Sequence, residues 1–86
     1  MDERYERMRA RLLEAIAEHE RGELDHAGLK TTVEGVMRTR TRADDPVRQA
    51  LFEADIALEY AMDGKPEGDP AAHLKRMRRN LREALR

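Results

Sequence analysis

Apolar residues return along this chain at intervals of three and four. Tyr5, Met8, Leu12, Ala15 and Ile16, joined by His19, fall on one arc of a helix, with Leu13 at its edge, while Glu3, Glu6, Arg7, Glu14 and Glu18 take the other side. Gly22 supplies a left-handed stop, so a first helix is predicted over about 2–20. Asp25 can accept from the free amides of a second helix predicted over about 25–41, and Leu24 just before it can staple onto Leu29. Leu29, Val33, Val36 and Met37, with Arg40 at the end, carry that stripe to about residue 41; Gly28, Thr32 and Gly35 form a small-residue row beside it, open to the close approach of another helix. Glycine and threonine weaken this segment on propensity, so packing must hold it, with fraying after about 41.

Two Asp-Pro pairs punctuate the second half. In each, the aspartate caps free amides and the proline takes the first helical position, where no donor is needed. Asp45-Pro46 opens a helix over about 46–63 that stops at Gly64, and Asp69-Pro70 opens one over about 70–85. Leu74, Met77, Leu81, Ala84 and Leu85 make a narrow stripe on the last. The five-residue linker 65–68 with Gly64 is short enough to make helices three and four antiparallel neighbours. No segment alternates with the period of a strand over any length, apart from a weak run near Val36 to Thr41. The expected architecture is all-α, a small four-helix bundle of two antiparallel helical hairpins, in one domain over 1–86.

The third helix departs from a simple amphipathic pattern. Val47, Ala50, Leu51, Ala54, Ala57, Leu58, Ala61 and Met62 fill one Ala-rich arc suited to close packing. On the opposite side Phe52, Ile56 and Tyr60 stand at i, i+4 and i+8 among Gln49, Glu53, Glu59 and Asp63. Two of the three aromatic residues of the protein lie on the face that should meet water. Either helix three is central and covered on both sides by its own chain, or the row is an interface for a second copy or another protein.

Composition sharpens this picture by exclusion. Eighty-six residues leave room for one small core. Without cysteine there is no disulfide framework, thiolate metal site or cysteine nucleophile, and without serine there is no serine nucleophile. Glu23 and His26 form a lone Glu-x-x-His, where a di-iron bundle needs two such pairs and two further glutamates. His26 then reads as a surface residue by a helix start, and His19 as a core-edge residue favoured by its helix end. Asp44 and Asp45 are explained by capping, and 64–68 lacks the spacing of a phosphate loop. No catalytic, cofactor or metal residues are expected, and the protein is expected not to be an enzyme. No stretch is long and apolar enough for a membrane span, nor does Met1-Asp2-Glu3-Arg4 open a leader, so a cytoplasmic protein is the expectation. Arginine in excess of lysine, with abundant alanine, suits a GC-rich bacterial genome.

The net charge of −1 hides a segregation. From Ala43 to Pro70 eight acids face only Arg48 and Lys65, whereas from His73 to Arg86 six cations face only Glu83. Lys75, Arg78, Arg79, Arg82 and Arg86 make one basic sector on helix four, and Arg38, Arg40 and Arg42 add a second run. Nucleic acid, an acidic protein, and the acidic side of helix three are the candidate partners of that sector. A membrane surface fits poorly, because the helix has no Trp or Phe on its apolar side.

Leu12-Leu13, Gly22-Glu23-Leu24, Leu29, Val33-Glu34-Gly35 and Leu58-Glu59-Tyr60-Ala61 together resemble a pattern of small all-helical bacterial proteins, many uncharacterised and some similar to immunity proteins. The resemblance covers about residues 12–62 and implies toxin neutralisation or regulation by protein binding; the basic fourth helix differs from the acidic character usual in immunity proteins. The chain is therefore expected to be a protein-binding helical module, homodimeric or bound to another protein, with nucleic-acid association through helix four as the alternative.

Overall fold

A computed structural model describes residues 3–39, 45–64 and 69–86. Those residues form four helices, α1 (Glu3–Glu20), α2 (His26–Met37), α3 (Pro46–Asp63) and α4 (Pro70–Ala84), and contain no strand. The small four-helix bundle expected from periodicity is the architecture found.

The punctuation works as local chemistry requires. Asp25 accepts from the Gly28 amide at 2.7 Å, Asp45 from Val47 at 3.0 Å and Asp69 from Ala71 at 3.0 Å. With Pro46 and Pro70 in the first turns, the donors that lack a helical acceptor are few and partly met. Helix α1 ends in a Schellman turn: Gly22 sits at φ +79°, its amide donates to His19 O, and the Glu23 amide reaches back to Glu18 O at 2.8 Å. Gly64, at φ +69°, closes α3.

Helix α2 stops at Met37, four residues before its expected end. The Thr39 hydroxyl and amide both donate to Val36 O, at 2.8 and 3.0 Å, closing a turn that competes with another helical residue. Arg40 and Arg42 lie outside the described residues.

The core is apolar with one exception. Leu12, Ile16, Leu29, Val33, Leu51, Ala54, Leu58, Leu81 and Leu85 are fully buried; Ala15, Val36, Val47 and Met77 join them, and His19 is the buried polar residue. Helix α3 packs against both α2 and α4, and α1 packs against α2. The fourth edge of the ring, α1 against α4, is packed less closely and carries long polar contacts: Arg9 Nε donates to Leu85 O, Arg78 to His19 and Arg82 to Glu20. The small-residue row on α2 is used differently from expectation. Leu24 folds over Gly28, where an added Cβ would lie 2.5 Å from Leu24 Cδ1, while the space beside Gly35 is open. Met62, expected in the packed arc of α3, is 50% exposed, because it lies in the final turn of a helix six residues longer than its neighbour α2.

Candidate functional site

Helix α3 turns Val47, Leu51, Ala54 and Leu58 into the core, which fixes where everything else on it points. Asp55 meets Lys30 of α2 at 3.1 Å on one flank. Ala50, Glu53 and Ala57 line a groove on the other, opposite His73, Arg76, Met77 and Asn80 of α4. What remains is the outward side. Phe52 is 52% exposed, Ile56 36% and Tyr60 55%, so none of the described residues covers this row. Glu53, Glu59 and Asp63 are exposed around it, with Gln49 at its start. The face is thus an apolar strip about two turns long with an acidic border.

The basic sector of α4 divides in two. Arg78 and Arg82 turn towards α1 and are held there: Arg82 Nη1 lies 3.0 Å from the Glu20 carboxylate and Arg78 Nε 3.6 Å from it. The hydrogen bond from Arg82, then the Arg82 charge, draw the Glu20 carboxyl below its ordinary pKa. Lys75, Arg79 and Arg86, joined by Arg76, face solvent around a shallow hollow that is also lined by Ala72, Glu83 and the Glu20–Arg82 pair. Among the described residues no arginine or lysine of α4 pairs with a carboxylate of α3, so the acidic side of helix three is not the partner of this sector. The carboxylate of α3 that is paired goes to Lys30, which also holds Glu34 at 2.6 Å and whose own pKa these two contacts raise.

Sequence reasoning missed a cluster at one end of the bundle. His19 Nε2 and His26 Nδ1 are 2.9 Å apart, and Arg78 Nη1 lies 3.1 Å from His19 Nδ1. A guanidinium can only donate, so His19 Nδ1 accepts; its Nε2–H then donates to His26, whose proton sits on Nε2. This chain requires a neutral His19. Burial lowers the pKa of His19, the charges of His26 and Arg78 lower it further, and Asp25 acts in the opposite sense. The available signal was the five-residue turn between two histidines flanking a predicted helix end and start; the arginine 59 positions away gave none.

The Glu-x-x-His residues do not come together among the described residues. Both oxygens of Glu23 go to Arg21 at 3.0 Å, and His26 goes to His19, so the Glu-x-x-His residues point to different partners. Among the described residues no group of three or more His, Asp or Glu side chains could hold a metal ion. No helix there is long and apolar enough to cross a membrane. Compared with protein-family models, with curated proteins and with solved structures, the chain matches none.

Proposed function

We propose that this protein is a non-enzymatic protein-binding module that docks through the outer face of α3, its first partner being a second copy of itself. One observation carries the reading: Phe52, Ile56 and Tyr60, three of the four large apolar side chains left in solvent among the described residues, stand in one row on one helix. An isolated exposed apolar residue is ordinary, but a contiguous strip with two aromatic rings and a charged border has the composition of an interface centre and rim. Toxin neutralisation or regulation, the roles implied by the resemblance to immunity proteins, would work through such a face. Size-exclusion chromatography with light scattering tests it: wild type is expected at twice the monomer mass and Phe52→Glu at the monomer mass. A wild-type monomer, or a Phe52→Glu variant that keeps the dimer mass, refutes it.

The exposed quartet Lys75, Arg76, Arg79 and Arg86 favours a second reading, association with nucleic acid. Phosphate contacts are strongest at low salt, so absence of duplex DNA binding in low-salt titrations eliminates it.

A further inference from the structure

The outer faces of α3 and α4 are opposite in sign and lie side by side. Around its apolar row the α3 face exposes Glu53, Glu59 and Asp63; the α4 face exposes Lys75, Arg76, Arg79 and Arg86 against Glu83. The two helices share one side of the bundle, and Glu53 and Arg76 line the groove between them. Any contact between two copies through this side must choose among three pairings. Laying α3 on α3 brings both acidic borders together, and laying α4 on α4 brings the cations together; like charges juxtaposed at an interface cost several kcal/mol. Crossing the helices, α3 of each copy on α4 of the other, sets every border against its opposite.

We infer that α4 of a second copy is the surface that receives the α3 face, in an isologous dimer whose two-fold axis runs along the α3/α4 groove. This rests on the reading of the α3 face as a self-docking surface and specifies the partner surface. The crossed pairing is self-complementary: each copy supplies one acidic apolar strip and one basic strip, so a closed dimer satisfies both and leaves none to propagate. The side chains suit each other beyond charge. Arg76 and Arg79 carry aliphatic stems that can cover Ile56 and Phe52, and their guanidinium planes can lie on the Phe52 and Tyr60 rings, while Ala72 leaves room for a bulky neighbour. Helices of 18 and 15 residues side by side offer a face of about 27 by 20 Å, about 540 Å² in projection and just under the roughly 600 Å² per partner at the small end of ordinary specific interfaces.

Charge reversal distinguishes this dimer from every other. The Arg76→Glu/Arg79→Glu variant presents two acidic strips, and the Glu53→Arg/Glu59→Arg variant two basic ones. All four positions are exposed, and circular dichroism checks that each variant keeps its helices. In sedimentation equilibrium each variant alone is expected to dissociate, with a dimer dissociation constant raised about 100-fold. An equimolar mixture of the two is expected to recover the dimer mass, because every strip then meets its opposite. The chain carrying all four changes is expected to dimerise alone. A wild-type dimer whose Arg76→Glu/Arg79→Glu variant remains dimeric overturns the crossed pairing and leaves the α3 docking face standing. A mixture that stays monomeric also overturns it. A wild-type monomer overturns both.

Discussion

Replacing Arg78 by methionine isolates the polar edge of the bundle from its apolar core. The Arg78 side chain is only 14% exposed, and methionine keeps most of its stem packing. What disappears is the donor to His19 Nδ1, 3.1 Å away on a residue that is itself 7% exposed. An acceptor left buried and unpaired costs about 1–3 kcal/mol. The ion pair to Glu20 adds little, since that carboxylate is half exposed and keeps Arg82. The expected loss near pH 8 is therefore about 2 kcal/mol, a fall in Tm of roughly 8–16 °C for a chain of this size. Arg82→Met removes an exposed pair alone and should cost under about 1 kcal/mol. Acid then reverses part of the difference. The pKa of His19 is depressed on folding, so the stability linked to its neutral form is complete above its unfolded pKa and is lost as pH falls through the folded one. Burial and His26 still act in the Arg78→Met variant, but the repulsion from Arg78 is gone, so the variant loses less on acidification. Urea denaturation at pH 8 and pH 5 should show the gap between wild type and Arg78→Met narrowing. Equal losses for Arg78→Met and Arg82→Met, or a gap that does not change with pH, would refute the role given to the His19 acceptor.

Other expectations follow from packing and backbone. Gly35→Ala places its Cβ in open space and should stabilise by about 0.5–1 kcal/mol through reduced unfolded-state freedom, whereas Gly28→Ala must displace Leu24 and should bring no such gain; paired thermal melts compare them. Leu58→Ala empties a fully buried site and should cost about 2–5 kcal/mol, while Met62→Ala in the same helix, half exposed, should stay within about 0.5 kcal/mol in urea titrations. Asp69→Ala removes the cap on the Ala71 amide and should cost about 1 kcal/mol, visible as a lower Tm.

Features set by one helix and its ends were legible from the residues alone. The starts at Asp45-Pro46 and Asp69-Pro70 and the stop at Gly64 need only neighbouring atoms, and each stands where its chemistry places it. The Phe52, Ile56 and Tyr60 row is a property of a single helical wheel, and its exposure follows once Val47, Leu51, Ala54 and Leu58 choose the core. What periodicity could not supply is which helix stands beside which. Arg78 and Arg82 belong to a basic sector whatever the bundle order, but their attachment to Glu20 depends on α1 closing the ring beside α4. The same choice brings His19 and Arg78 together and leaves Lys75, Arg76 and Arg79 to solvent. Met62 was misplaced because a wheel has no length: its angle is right for packing, but it lies in the last turn of an α3 that is longer than α2.

The edge between α1 and α4 gives the bundle an order of opening. Three edges of the ring are closely packed, whereas the fourth is the looser one and adds the guanidinium contacts of Arg9, Arg78 and Arg82, of which the Arg78 contact is opposed by acid through His19. Amide hydrogens of α1 should therefore exchange through a local opening of that edge, more readily at lower pH once the intrinsic exchange rate is allowed for, while those of α3 wait for global unfolding. The first helix behaves as a latch on a three-helix frame, and the docking face on α3 lies on the frame, on the side away from the latch.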